Sequence, residues 1–102
     1  MKAASPATLQ RTLRVLRARR ADARDRFGVD FVGVVGSLAR GEARADSDVD
    51  VIVRQVGKTT LFTLSRLEED LGSKLGRPVE LVFSEMMGSE RRAYIELDLI
   101  PL

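Results

Sequence analysis

Two short apolar runs, at residues 29–35 and 49–53, restrict the possible folds of this chain more than any other feature. Both runs are rich in valine and are bounded by small or polar residues, which is typical of buried β-strands. The segment between them is polar and opens with a Gly-Ser pair. The sequence therefore predicts two strands, over 29–35 and about 48–54, that are joined by a small-residue turn.

The connection between these strands carries the residues with the clearest chemical meaning. It begins with Gly36 and Ser37 and ends with Asp48 and Asp50. The two aspartates share a face of the second strand, because side chains alternate along a strand. Two carboxylates side by side repel each other, and a hard divalent cation such as Mg²⁺ relieves that repulsion while taking oxygen ligands. The spacing predicts a metal site at the start of the second strand.

The Gly-Ser pair suits a phosphate group. Gly36 allows the backbone to approach a ligand closely. Ser37 supplies a hydroxyl and can cap a short helix that runs to about Glu42, whose first N–H groups would attract an anion. Arg40, our candidate for a nucleotide-binding cation, follows, as does Arg44. Each motif alone also occurs in ordinary turns and solvated loops, but together they predict a site for a nucleotide triphosphate with magnesium.

The segment 36–50, with ten residues between Ser37 and Asp48, resembles the signature of the DNA polymerase beta-type nucleotidyltransferase superfamily. It looks most like the minimal nucleotidyltransferase (MNT) branch of that superfamily. The resemblance implies that Gly36 and Ser37 hold the triphosphate and that Asp48 and Asp50 bind metal. It also implies ATP as the donor substrate and two Mg²⁺ ions as cofactors.

The same resemblance implies a third carboxylate on a later strand, where the family usually has aspartate. The run 79–83 places Glu80 and Val82 on the face opposite its other apolar residues. Glu80 can therefore join Asp48 and Asp50 if the strands are neighbours, and we expect these three residues to form the catalytic and metal-binding set. The alternative is that Glu80 is a solvent-facing charge on an edge strand. Glutamate at this position departs from the family pattern.

Two long helical patterns accompany the strands. The first ends at Gly28 and places Arg20 inside its apolar face, where the side chain would extend to the edge, meet a carboxylate or contact a partner. The second begins at Thr59 or Thr60 and ends at Gly76. The apolar faces consist of Leu9, Leu13, Leu16, Ala23 and Phe27 in the first helix and of Leu61, Leu64, Leu67, Leu71 and Leu75 in the second.

A weaker third helical pattern begins at Gly88 or Ser89 and stops before Pro101. Taken together, the elements predict an α/β fold in which a small mixed β-sheet has helices on one face and the acidic site on the other. We expect residues 1–102 to form a single nucleotidyltransferase domain, since a chain of this length supports one core but not two.

Histidine and cysteine are both missing from the sequence. This excludes disulfides, thiolate zinc sites and histidine-based acid–base catalysis, so any general base must be a carboxylate such as Asp48, Asp50 or Glu80. The first ten residues lack the apolar core of a signal peptide, and no apolar run approaches the length of a membrane span. We therefore expect a cytoplasmic protein without membrane association.

Positive charge is concentrated in the first helical segment. Residues 1–27 contain eight basic and two acidic residues, a net charge of +6, whereas the remainder contains nine basic and thirteen acidic residues, a net charge of −4. The arginines spread around the helix instead of forming one stripe. This favours a solvated helix over nucleic-acid binding, which would predict an affinity that falls steeply with salt.

The expected reaction is Mg²⁺-dependent transfer of AMP from ATP to a hydroxyl group. The acceptor follows only from the resemblance: MNT proteins are similar to antitoxins that pair with HEPN-domain ribonuclease toxins, and some transfer AMP to a toxin tyrosine. We therefore expect a HEPN-type toxin as partner, since 102 residues leave little room for an acceptor-binding domain. The alternatives are an antitoxin that acts by binding alone and transfer to a small molecule. A homo-oligomer is compatible with either.

Overall fold

The structure, a computed structural model, describes residues 6–44 and 46–102. Within these ranges the chain forms three helices and four strands, with a short 3-10 turn (Ser84–Met86) after the third strand. In chain order they are α1 (Pro6–Phe27), β1 (Val29–Val35), β2 (Val49–Gln55), α2 (Leu61–Leu75), β3 (Val79–Phe83), α3 (Ser89–Asp98) and β4 (Ile100–Pro101). None of the helices in these ranges is both long enough and apolar enough to span a bilayer.

The four strands form one mixed sheet in the order β3–β2–β1–β4. β1 is antiparallel to both β2 and β4, whereas β2 and β3 are parallel and are connected by α2. The predicted α/β fold with a small mixed sheet is confirmed, and β1 and β3 span the predicted residues. β4 was not predicted, because a two-residue strand that includes Pro101 leaves no periodic pattern in the sequence.

The two long helices, α1 and α2, pack on one face of the sheet. Between them and the sheet lies the hydrophobic core, to which β2 contributes Val49, Val51 and Val53 at alternating positions. Leu16 of α1 and Leu71 of α2 are fully buried in the same core. The intervening β2 residues, Asp50 and Ile52, therefore face the other side of the sheet.

The ends of α2 agree with the sequence prediction, but one of its predicted core residues does not. Thr60 is the N-cap, with its hydroxyl accepting a hydrogen bond from the Thr63 N–H, and Gly76 is the C-cap. Leu61 was expected on the buried face and is instead 78% exposed. Helical side chains lean toward the N-terminus, so the side chain of the first helical residue projects past the end of the helix.

β1 contains a β-bulge that changes which of its residues face the core. The pairing with β2 shifts between Phe31 and Gly33, which leaves Val32 as the extra residue. Regular alternation would place Phe31, Gly33 and Val35 on one face. The bulge instead brings Val34 into the core with Phe31 and turns Val35 toward the opposite side of the sheet.

A buried carboxylate ties α1 to the sheet. Asp30 in β1 is 4% exposed and accepts two hydrogen bonds from Arg20, at 2.8 Å to Oδ1 and 3.1 Å to Oδ2. Arg24 and Arg54 each place a guanidinium nitrogen 3.3 Å from Oδ2. The hydrogen bonds from Arg20 lower the pKa of Asp30 although burial acts in the opposite direction. Of the possibilities left open for Arg20, the structure shows contact with a carboxylate.

We predict that Asp30→Asn lowers the free energy of unfolding at pH 7 by about 1–3 kcal/mol, because it removes charge-assisted hydrogen bonds and leaves the arginines uncompensated. A lowered native pKa stabilises the protein above the ordinary carboxyl pKa, and this stability is lost as the pH falls through the native pKa. The difference in the free energy of unfolding between wild type and Asp30→Asn, measured by urea denaturation, should therefore become smaller at acidic pH.

Asp22→Asn is the matched control for this variant. Asp22 pairs with Arg26 one helical turn away, at 3.5 Å, and two thirds of the Arg26 side chain is exposed. Exposed pairs of this kind contribute little, so we expect a loss below about 0.5 kcal/mol. Equal losses for Asp30→Asn and Asp22→Asn would contradict the structural role given to Asp30.

Candidate active site

A cavity of about 580 Å³ lies between α3 and the face of the sheet that α1 and α2 leave uncovered. Four of the predicted site residues line it, namely Gly36, Arg40, Asp50 and Glu80. Ser37 and Asp48 are not among the lining residues, although each lies within two positions of one in the sequence. The structure therefore brings four of the predicted strand and turn residues to one cavity, and Ser37 and Asp48 are close to them in the sequence but do not line it.

Gly36 is in direct contact with the carboxylate of Asp50. Its φ angle is +80°, in the left-handed region that favours glycine, and a Cβ atom at this position would lie 2.5 Å from Asp50 Oδ2. A glycine is therefore required here both by backbone conformation and by space. The close approach of this turn to Asp50 is a finding of the structure, and the predicted approach of Gly36 to a phosphate group stays a prediction.

The residues after Gly36 form consecutive turns instead of the predicted short helix. The Arg40 N–H donates to the Gly36 carbonyl at 3.1 Å, and the Glu42 N–H donates to the Ser37 carbonyl at 2.8 Å. Leu38 and Ala43 are buried and anchor this turn to the core. Because the backbone bonds change spacing from one residue to the next, no continuous helical ladder forms, and the expectation that Ser37 caps a helix is wrong.

The carboxylates converge because β2 and β3 are parallel and adjacent. Asp50 lies opposite Glu80 in the strand register, and Asp48 lies two residues before Asp50, just ahead of the start of β2. Burial raises the pKa of Asp50, and the charges of Glu80 and Asp48 raise it further, while Arg91 and Arg40 act in the opposite direction. The site is thus an acidic centre in which Asp50 is the most desolvated member.

Asp48 is placed by the loop that leads into β2. The Arg44 N–H donates to the Ser47 hydroxyl at 2.8 Å, and Arg77 donates to the Arg44 carbonyl at 3.2 Å. The Val49 N–H then donates to the Pro78 carbonyl at 2.8 Å, which begins the pairing with β3. These bonds fix where β2 starts and leave the Asp48 side chain exposed.

The carboxylate oxygens at the cavity supply some, but not all, of the ligands that a hard divalent cation needs. Asp50 and Glu80 are neighbouring oxygen donors at the cavity, and magnesium sites commonly use one or two carboxylates together with substrate phosphates and water. Across the described ranges no group of three acidic side chains is gathered around one point. A metal held by Asp50 and Glu80 would therefore take its remaining ligands from a bound phosphate group, from water or from an Asp48 side chain turned toward it.

Arg40 lines the cavity, but its charge is already engaged. Its guanidinium group donates to Asp98 of α3 at 2.9 Å and to Glu42 at 3.3 Å. These carboxylates raise the pKa of Arg40. The predicted nucleotide-binding cation thus also connects the Gly-Ser turn to α3.

Part of the cavity wall was missed by the sequence reasoning. Ile52 and Val82 continue the faces of Asp50 and Glu80 two residues further along their strands, and α3 contributes Glu90, Arg91, Ile95 and Asp98. The strand residues could have been found by extending the period of two. The helical residues could have been found from the spacing of 91, 95 and 98, which marks one face of a helix.

Comparison with known proteins identifies relatives that match most of the chain. The sequence family described as "Nucleotidyltransferase domain" matches residues 16–101. Protein adenylyltransferase MntA from Thermococcus cleftensis is 42% identical to this chain over 82 residues, which cover 80% of the chain and 83% of that protein.

Two solved structures share the fold. One, provisionally described as a minimal nucleotidyltransferase, has a TM-score of 0.69 and 39% identity, covering 88% of this chain and 95% of that chain. The other, a crystal structure of a toxin–antitoxin with AMP-PNP, has a TM-score of 0.59 and 21% identity, covering 78% of this chain and 60% of that chain. At that identity the second match shows the fold alone.

Gly36→Ala should destabilise the protein more than Gly41→Ala. Both glycines have left-handed φ angles, but a Cβ at Gly41 would meet nothing within 4 Å, whereas one at Gly36 would collide with Asp50. We expect about 1 kcal/mol of backbone strain in each variant, with a further loss and a displaced Asp50 carboxylate only in Gly36→Ala. Thermal denaturation and carboxyl titration by NMR measure the two effects. Equal destabilisation would contradict the contact between Gly36 and Asp50.

Asp50→Asn should stabilise the protein in the absence of ligand at pH 7. A raised native pKa means that the stabilising contribution of this group is greatest below the ordinary carboxyl pKa of about 4 and is lost as the pH rises through the native pKa. Removing the charge should therefore increase the free energy of unfolding by up to about 1 kcal/mol, with a smaller gain for the exposed Asp48→Asn. An Asp50→Asn protein less stable than wild type at pH 7 would refute this.

Proposed function

The chain belongs to the nucleotidyltransferase domain family, in its minimal branch, and we propose that it transfers AMP from ATP to a tyrosine hydroxyl of a partner protein. In this proposal residues 1–102 act as one catalytic domain. The observation that carries the proposal is the pairing of Asp50 with Glu80 beside the Gly36 turn, at the mouth of a cavity large enough for a nucleotide.

The acidic strands supply the metal-binding part of the proposed reaction. Asp48, Asp50 and Glu80 would hold magnesium, which when bound offsets the negative charge of the carboxylates and the triphosphate. Gly36 and Ser37 would contact the phosphates through the backbone and the hydroxyl group. The raised pKa of Asp50 supports this assignment, because a strained carboxylate cluster gains most from a bound cation.

In the chemical step, the α-phosphorus of ATP changes its bond from the oxygen of the β-phosphate to the oxygen of the acceptor hydroxyl. The acceptor hydroxyl oxygen forms a bond to the α-phosphorus of ATP, the bond from that phosphorus to the β-phosphate oxygen breaks, and pyrophosphate leaves with the electron pair. The hydroxyl proton goes to a carboxylate, for which Glu80 is our candidate because its side chain is exposed beside Asp50.

The partner in this proposal is a HEPN-type toxin, which makes the chain the antitoxin of a toxin–antitoxin pair. Two similarities support it: a relative at 42% identity is named a protein adenylyltransferase, and a structure of the same fold is a toxin–antitoxin with AMP-PNP. The apolar side chains of Leu61, Phe62, Met86 and Leu97 are all more than 70% exposed, which is compatible with a protein surface that is covered by another chain.

We expect the purified chain to transfer labelled AMP from ATP to a co-expressed HEPN-type partner in the presence of Mg²⁺. Asp48→Asn and Asp50→Asn should each abolish the transfer while the protein stays folded, because the metal-binding set is then incomplete. Glu80→Ala should lose nearly all transfer. A scintillation or mass-spectrometric assay of the partner, with tryptic mapping of the modified residue, measures both the transfer and its site.

Glu80→Asp distinguishes an adapted glutamate from a neutral replacement. If the strand positions are adjusted to the longer side chain, aspartate will not reach the metal and transfer will fall.

Three outcomes would contradict parts of the proposed function. If the chain neutralised the toxin without transferring AMP, it would act by binding alone and not as an enzyme. Transfer to a small hydroxyl compound but not to protein would contradict the proposed protein acceptor. Full transfer activity in Asp50→Asn would contradict the proposed metal site.

A further inference from the structure

Two guanidinium groups line the cavity, and their surroundings differ. Arg40 lies in the turn after Gly36 and is held by Asp98 and Glu42, so its positive charge is balanced before any ligand arrives. Arg91 lies near the start of α3. Within residues 6–44 and 46–102 no carboxylate oxygen lies within ion-pair distance of its guanidinium nitrogens.

Arg91 faces the acidic centre across the cavity. Asp50 and Glu80 line the sheet side and Arg91 lines the α3 side of the same space. An anion placed between the sheet and α3 would therefore meet Arg91 as an available cation.

The next residue in the chain has a different task. Arg92 donates from Nη2 to the Ser84 carbonyl at 2.7 Å, which ties α3 to the 3-10 turn after β3. It lines a second cavity of about 240 Å³ and not the one that holds Asp50. Arg91 and Arg92 are thus adjacent, equal in charge and exposed, yet only one of them borders the acidic site.

We propose that Arg91 is a binding residue for the triphosphate of the nucleotide, contacting phosphate oxygens from the α3 side of the cavity. The identity of the ligand rests on the proposed function. Asp50, Glu80, Glu90 and Asp98 also line this cavity, so a polyanion that binds with magnesium gains further attraction from a cation without a carboxylate partner. The planar guanidinium group of arginine suits phosphate oxygens, which it binds through two parallel hydrogen bonds.

The test is calorimetric binding of a non-hydrolysable ATP analogue with Mg²⁺ to the full chain. Arg91→Ala should weaken binding roughly 10- to 100-fold, as expected for the loss of charge-assisted hydrogen bonds. Arg91→Lys should recover part of the loss, because a point charge is restored without the planar geometry. Arg92→Ala, the matched control, should change the affinity less than about threefold. Affinity for AMP should depend less on Arg91 than affinity for the triphosphate.

Each result decides the proposal. Wild-type affinity in Arg91→Ala overturns it, and so does an equal loss in Arg91→Ala and Arg92→Ala, which would assign the effect to the position of α3. A wild-type chain that binds no triphosphate also overturns it. Failure of the proposed function has a separate signature: the analogue binds in an Arg91-dependent manner, but no AMP reaches any protein acceptor.

Discussion

The parallel pairing of β2 with β3 is the constraint on which both the core and the acidic site depend. Parallel neighbours need a long crossover connection, which α2 provides while burying Leu64, Leu67 and Leu71. Because side chains alternate, a slip of one residue would exchange Glu80 with the core residue Leu81. The apolar core therefore holds the register, and the register sets Asp50 beside Glu80. The placement of these two carboxylates is in this way a consequence of hydrophobic packing on the other face of the sheet.

Two carboxylates in neighbouring strands show how differently one residue type is used. Asp30 in β1 is surrounded by three arginines, and its lowered pKa stabilises the folded chain at neutral pH. Asp50 in β2 is partly buried near other carboxylates, and its raised pKa destabilises the chain under the same conditions. The rest of the fold holds these like charges close together, and a ligand of opposite charge relieves their repulsion. Asp30 therefore stabilises the fold at neutral pH, whereas Asp50 is the carboxylate for which we propose a binding role.

The elements fixed by local chemistry could be predicted, and those fixed by long-range contacts could not. The alternation around Val51 and the Thr60 and Gly76 caps have local causes, so the sequence reveals them. The bulge at Val32 is invisible because the β1 residues from 31 to 35 are all uncharged and apolar, so moving their alternation by one residue leaves the pattern unchanged. The cavity could be predicted from its strand side, whereas α3, which carries the other side, shows no clear apolar period, because none of its side chains for which the structure describes burial is fully buried.

The cavity therefore joins two halves that are stabilised in different ways. The strand half is fixed by the core, whereas α3 is held by polar contacts, including Arg40 with Asp98 and Arg92 with the Ser84 carbonyl, and by the short pairing of β4 with β1. Elements with few buried apolar contacts open at low free-energy cost compared with the core. A ligand that interacts with both halves would add contacts across the weaker junction and so stabilise α3 more than the sheet. Because Arg40 lies in the Gly-Ser turn and pairs with α3, any anion that competes with Asp98 for Arg40 also acts on that junction.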